Sequence, residues 1–259
     1  MKTSSPVRTV PFPHHAGKHS LPPLFTASDF QRYVALRSGT RFSKVPPGIV
    51  LVFGSRWGRY LDRRFPGALD RRTGVYRVNA AVGVVRQEGP GAPFTAIIVE
   101  ELAALGARRF VIMGLAGSLQ ARIRAGALVV CTRALRDEGT SHHYQKPAPF
   151  ARPSSRLTAA LKVVLRRERL PFFQGPSWTT DAAYRETAAE VRRYRRAGIL
   201  TVEMEAAALF TVARSLGREA AALFVISDHL DEAGWEPRFH DTRAELHRAL
   251  EVALRACRR

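Results

Sequence analysis

The 259-residue sequence predicts a single α/β domain with a mixed central β-sheet flanked by helices. Three observations carry that expectation. Short apolar runs at 49–53 and 220–226 have the length of buried strands. Between such runs lie segments with apolar residues at helical spacing. The two kinds alternate along the chain, as in α/β sheets whose sites gather at the carboxyl ends of the strands.

Residues 1–45 are rich in Pro, His and Ser and read as an N-terminal arm with one short helix, 28–38. The domain proper is expected over 46–259. Its first strand, 49–53, closes at Gly54, and a second strand-like run spans 76–86 with Val82, Val84 and Val85. Gly89-Pro90-Gly91 breaks the chain. Pro93 then suits the first position of a helix, where its missing N–H costs nothing. Phe94, Ile97, Ile98, Leu102 and Leu105 form an apolar stripe at helical spacing, and Gly106 suits the helix end. A strand at 110–113, a small-residue turn at 114–118 and a strand at 127–132 follow.

The second half repeats the style. A helix at 156–167 turns Leu157, Ala160, Leu161, Val164 and Leu165 inward, and a short strand is expected at 171–174. A helix at 186–197, a strand at 199–202, a helix at 204–216 closed by Gly217 and a strand at 220–226 come next. Thr242 and Glu245 have the spacing of a capping box for a last helix with Leu246, Leu250 and Leu254 inward.

Composition narrows the function classes. The longest apolar run is seven residues, 220–226, against about 20 for a bilayer-spanning helix. The N-terminus has charge but no apolar core of a secretion signal, so no membrane association and a cytoplasmic location are expected. Net charge is +19, from 41 Lys+Arg against 22 Asp+Glu. The arginines are scattered, in pairs such as Arg63-Arg64 and Arg192-Arg193, where a nucleic-acid surface concentrates charge on one face. Arginine-rich solvated faces are therefore expected, with a general attraction for anions, and nucleic acid is not an expected partner. Cys131 and Cys257 are distant in sequence, and no His, Cys and Asp cluster has ligand spacing, so no metal is expected.

Three segments break the local rules. Glu203-Met204-Glu205 places two acids between an apolar strand and a nearly all-apolar helix. The helix dipole accounts for one acid at a helix start; a carboxylate there is also placed to accept paired sugar hydroxyls. Ser227-Asp228 directly follows the 220–226 run, where Asp is either a helix cap or a site acid. The stretch 178–186, with Trp178, Tyr184 and Arg185, is aromatic and non-periodic, suited either to stacking on a heterocycle or to packing a loop.

EMEAAALF at 203–210, followed by a buried strand and Ser227-Asp228, resembles the nucleoside phosphorylase family: uridine phosphorylases, hexameric purine nucleoside phosphorylases and methylthioadenosine nucleosidases. Residues 89–130 look like that family's glycine turn, helix, strand and G-x-x-G core, 134–144 like the segment after it, and 178–187 like its base-binding loop. The resemblance covers roughly 49–230. It implies cleavage of an N-glycosidic bond through an oxocarbenium-like sugar, by phosphate or, in the nucleosidases, by water. Glu205 matches the acid that grips the ribose 2′- and 3′-hydroxyls, Met204 the residue beneath the sugar, and Glu203 lies near the sugar or base edge. Asp228 matches the general acid that protonates purine N7; Ser227-Asp228 leans towards a purine. Trp178 and Tyr184 match aromatic positions around the base, and Arg185 is placed to reach a carbonyl oxygen.

The phosphate site departs from the family pattern. In place of Gly-Asp-Pro-x-Arg the turn reads Gly54-Ser55-Arg56-Trp57-Gly58-Arg59. Ile112 stands where an arginine is usual, and Leu115 where a hydroxyl is usual. Arg56, Arg59 and Arg86, with backbone amides from Gly54 and around Gly91, are the phosphate-binding candidates. The leading expectation is phosphorolysis of a purine nucleoside with inorganic phosphate as co-substrate and no cofactor. Hydrolysis is the alternative, although no Glu occurs between Gly54 and Glu88 to activate water; an inactive nucleoside-binding protein and a nucleotide substrate stay open. A homo-oligomer, dimer or hexamer, is also implied. His14, His15 or His19 of the arm either reaches a neighbouring site, as the resemblance implies, or stands in solvent, and His142 and His143 line either a pocket or a loop surface.

Overall fold

A computed structural model describes residues 18–39 and 43–258; His14 and His15 lie outside them. In chain order the elements are α1 (Ala27–Ser38), β1 (Gly48–Phe53), α2 (Arg56–Arg64), β2 (Leu69–Asp70), β3 (Val75–Arg77), β4 (Val82–Gln87), α3 (Ala92–Ala104), β5 (Arg109–Ser118) and β6 (Leu128–Asp137). There follow β7 (Phe150–Ala151), α4 (Ser155–Arg167), β8 (Phe172–Thr180), α5 (Ala188–Arg196), β9 (Thr201–Glu203), α6 (Ala206–Ser215), β10 (Glu219–Leu230), β11 (Trp235–Pro237) and α7 (Arg243–Cys257). Among the described residues no helix is long and apolar enough to cross a membrane.

The expected mixed sheet is present, and part of it closes on itself. β4, β1, β5 and β10 run parallel. β6, β8 and β9 run parallel to one another and antiparallel to that group. Because β10 pairs with both β5 and β6, and β9 with both β8 and β5, five strands form a closed ring, which leaves them no open edge.

Helices cover both faces, so the central strands are apolar throughout and do not alternate. Residues 49–52 of β1 are all buried. Val50 and Val52 face a core with Trp57, Leu61, Leu161 and Leu250 of α2, α4 and α7, while Ile49 and Leu51 face a core with Val99, Leu102 and Phe210 of α3 and α6. Each such side chain contributes about 1.5–3 kcal/mol by leaving water. A third, smaller core gathers Leu119, Leu135, Trp178, Val191, Ile199 and Val202 beside the ring.

Five expectations need correction. The run at 76–86 is a hairpin, β3 and β4, turned at Asn79, whose Oδ1 accepts the N–H groups of Ala81 and Val82. The small residues 114–118 do not turn but continue β5. They permit close packing: a Cβ on Gly114 would lie 3.2 Å from the Phe53 ring, and one on Gly117 only 2.5 Å from Leu230. β8 runs on from 174 to Thr180, and β10 runs on from 226 to Leu230 through a bulge between Ile226 and Asp228. The capping box at Thr242 does not form, because that hydroxyl donates to the Phe239 carbonyl; capping boxes occur instead at Thr26–Asp29 and Thr187–Glu190.

Candidate active site

Strand register assembles the acids. Gly117 of β5 pairs with Asp228 of β10 on one side and with Val202 of β9 on the other, and Glu203 follows Val202 directly. Asp228 and the Glu203–Glu205 segment therefore flank one glycine. A side chain there would intrude: its Cβ would lie 3.0 Å from Asp228 Oδ2.

Glu203 is saturated by its own chain. Its Oε1 accepts from the hydroxyls of Thr179 (2.6 Å) and Ser177 (3.1 Å), and its Oε2 from the N–H groups of Glu205 (2.9 Å) and Ala206 (2.7 Å). The side chain thus serves the first amides of α6, where a negative charge also meets the positive helix end. The sequence-based assignment of Glu203 to the sugar is corrected on this ground: its acceptor sites are filled from within.

Glu205 is different. Its Oε1 accepts from the Gly91 N–H at 2.6 Å and its Oε2 from the Met204 N–H at 3.3 Å, which leaves lone pairs for a ligand. Burial and the neighbouring Glu203 charge push its carboxyl up to about 8. Burial raises Glu203 as well, but four donors favour its anion, so the proton of the pair resides on Glu205. Gly91 caps α3 with φ +121, a conformation open to glycine, and its amide is engaged by Glu205. That corrects its expected place among the phosphate donors.

Asp228 accepts from Ser227 Oγ at 2.5 Å through Oδ1 and from Trp235 Nε1 at 2.8 Å through Oδ2. Glu186 lies close enough that the Asp228 charge, after burial, helps to push its carboxyl up to about 7. Sequence reasoning missed both Trp235 and Glu186 as site residues. Glu186 stood within the segment singled out at 178–187, whereas Trp235 carried no signal beyond being an aromatic in a loop.

The base-loop residues do not gather around these acids. Trp178 is in strand β8, and alternation turns it into the third core while its neighbour Thr179 turns to Glu203. Its Nε1 donates to Asp137 Oδ2 at 2.8 Å and its ring meets Tyr194 at 4.7 Å, so it packs rather than offers a stacking face. Tyr184 and Arg185 lie on an exposed 3-10 turn, in solvent.

The candidate phosphate residues fall into one neighbourhood. Gly54 ends β1 with φ +88 and donates to the Gln87 carbonyl at the end of β4. Arg56 and Arg59 stand exposed on the first turn of α2, and Arg86 pairs with Glu88 while its guanidinium lies against Gly58. Ile112 and Leu115 are committed to hydrocarbon packing on opposite sides of β5. His19 Nε2 contacts the His142 carbonyl at 2.9 Å and Lys18 Nζ contacts His143 Nδ1 at 2.7 Å, so this part of the arm docks on its own chain.

A family model of the phosphorylase superfamily matches residues 62–259. The chain belongs to that superfamily. Over 142 residues it is 35% identical to a guanosine phosphorylase of Halorubrum lacusprofundi, a stretch covering 55% of this chain and 59% of that protein. Over 183 residues it is 37% identical to a uridine phosphorylase of Treponema pallidum, covering 65% of this chain and 70% of that protein. The crystal structure of a uridine phosphorylase from Vibrio fischeri ES114 aligns with a TM-score of 0.67 at 24% identity, covering 82% of this chain and 92% of that one, a likeness of fold. Within the superfamily match lie Glu203, Glu205, Asp228 and Arg86; the Gly54–Arg59 turn precedes it.

Proposed function

We propose that this superfamily member is a nucleoside phosphorylase that cleaves a purine nucleoside with inorganic phosphate, giving free base and ribose 1-phosphate. The observation that carries the reading is Glu205: a buried carboxyl, aimed by the Gly91 amide, with acceptor capacity left over. Relatives named guanosine, uridine and purine nucleoside phosphorylases support the activity.

In this mechanism Glu205 gives up its proton to solvent and, as the carboxylate, accepts the 2′- and 3′-hydroxyls of the ribose. Its charge then stabilises the positive charge that develops on the ring as the C1′–N9 bond breaks. The electron pair of that bond leaves with the purine, whose N7 takes a proton from Asp228. A phosphate oxygen attacks C1′ from the side of Gly54, where Arg56, Arg59 and Arg86 supply positive charge. No further cofactor enters. Asp228 is the reason for preferring a purine over a pyrimidine.

The active form is a homo-oligomer. Phe30, Tyr33 and Val34 of α1 and Phe94 and Ile97 of α3 are exposed apolar side chains on helices that pack together, and a second copy of the chain would cover them.

One observation favours hydrolysis as a second reading: hydrocarbon at Ile112 and Leu115 takes the place of polar phosphate ligands. The deciding experiment incubates the purified chain with inosine, guanosine, adenosine and uridine, with and without phosphate, and follows free base and ribose 1-phosphate. Base release that depends on phosphate, with purines preferred, is expected. Release indifferent to phosphate makes the chain a nucleosidase, and binding without release makes it a nucleoside-binding protein.

A further inference from the structure

Trp235 stands on β11, an edge strand of three exposed residues paired only to β10. Its side chain is 60% exposed, against 3% for Trp57 and 1% for Trp178. An indole this open to water, yet donating at 2.8 Å to a carboxylate that is itself buried, is an unusual pairing. Ser227 Oγ holds the other oxygen at 2.5 Å. With a donor on each oxygen, both oxygens of Asp228 are engaged within the chain.

The two donors differ in how firmly they are fixed. Ser227 is buried at the β10 bulge, and its hydroxyl also lies 3.5 Å from the Ala116 carbonyl. Trp235 hangs from a tight turn in which Asp231 Oδ1 accepts the Ala233 and Gly234 amides, and Gly234, with φ +152, directly precedes it. That backbone favours glycine. Phe239 meets the indole edge-on at 6.1 Å.

We propose that Trp235 is a positioning latch on Asp228: its N–H occupies Oδ2 until a purine enters, and the incoming heterocycle displaces it and takes the indole face as a stacking partner. Once the N–H leaves, Oδ2 is open to take a proton from solvent and present it to the ring nitrogen. The latch thereby supplies the aromatic face that Trp178, sealed in the core, does not. The inference rests on the proposed purine site, and its test separates the two.

The first measurement is acrylamide quenching of tryptophan emission in the full-length protein during titration with hypoxanthine. Trp235 supplies the accessible emission, since Trp57 and Trp178 are buried. Hypoxanthine is expected to abolish most of the acrylamide-accessible signal in the wild type and to change nothing in Trp235→Phe. The second measurement is steady-state kinetics with inosine. Trp235→Phe keeps a ring and loses the competing N–H, so KM falls by about fivefold, the scale of one hydrogen bond to a charged group less its replacement by water. Trp235→Ala loses the stacking face as well, and its KM rises above wild type. Wild-type turnover of inosine with no change in accessible emission overturns the latch alone, as does a Trp235→Phe variant whose KM rises. A change in emission without turnover of any nucleoside upholds the latch and overturns the catalytic reading. Neither emission change nor turnover overturns both.

Discussion

The backbone N–H of Gly91 donates to Glu205 Oε1 at 2.6 Å, joining residues 114 positions apart in the chain. The cap of α3 and the acid ahead of α6 are therefore one unit. A helix-start amide would serve an incoming anion; here it aims a carboxyl that sits beside the Glu203 charge.

That carboxyl holds a proton up to about pH 8 and must lose it to accept two sugar hydroxyls. The kcat/KM for nucleoside is therefore expected to climb with pH and level off above about 8. Glu205→Gln keeps the Gly91 contact but cannot carry the charge, so turnover falls about 100- to 1,000-fold and the rising limb disappears. Stability moves in the opposite sense. The folded carboxyl titrates above its ordinary 4.5, so its stabilising contribution is complete below that value and is lost as pH rises through about 8. Urea midpoints measured across that window decline for wild type and stay flatter for Glu205→Gln.

Glu203 acts on the same limb from behind. Glu203→Gln removes the like charge that helps to raise Glu205, so the pH limb moves to lower pH while a carbonyl still receives part of the donor set. Glu203→Ala strands two hydroxyls and two amides, at about 3 kcal/mol or more of stability. Paired pH–rate profiles and denaturation curves separate the two effects. An unmoved limb in Glu203→Gln contradicts the influence of the Glu203 charge on Glu205.

What the sequence made legible follows from where each signal resides. β1 and the first part of β10 show as unbroken apolar runs because both faces are covered, and Glu205 and Asp228 stand out as acids beside such runs. The far half of β8 did not show, since Gly175, Pro176 and Ser177 are poor strand formers that β6 and β9 hold in place by pairing. That extension reverses Trp178: read as a loop aromatic, it becomes a core residue once strand alternation applies. Closure of the ring rests on β10 and β9 each pairing twice, and the Gly91–Glu205 bond joins distant segments; neither leaves a periodic trace in the chain.

Asp228 sets the choice of base. Asp228→Asn keeps a side chain of the same shape beside Trp235 and Ser227 but has no proton to give, so purine release slows by about 100-fold or more while any pyrimidine release changes little. Gly117→Ala attacks the same residue indirectly: the new Cβ falls 3.0 Å from Asp228 Oδ2 and 2.5 Å from Leu230, which costs about 1–3 kcal/mol and displaces the acid. Purine and uridine rates for both variants, beside their melting temperatures, check this. Equal losses on purines and uridine remove the reason for assigning a purine substrate.

The phosphate neighbourhood is tested most directly at Arg86. Its guanidinium lies against Gly58 at the first turn of α2, near Arg56 and Arg59, and its pairing with Glu88 holds it at the end of β4. Arg86→Gln removes one positive charge from that end, so KM for phosphate rises by about tenfold or more, the scale of one charge-assisted contact. The KM for nucleoside, which depends on Glu205 at the start of α6, stays close to wild type. Gly58→Ala serves as the control: its Cβ meets the guanidinium carbon at 3.7 Å, an ordinary contact, so it fills space without removing charge and leaves the phosphate KM within about twofold. An Arg86→Gln variant with an unaltered phosphate KM moves the anion away from Gly54. It then falls to the amides beyond Gly91, at the start of α3, to hold it, with Glu205 and the phosphate competing for one helix end.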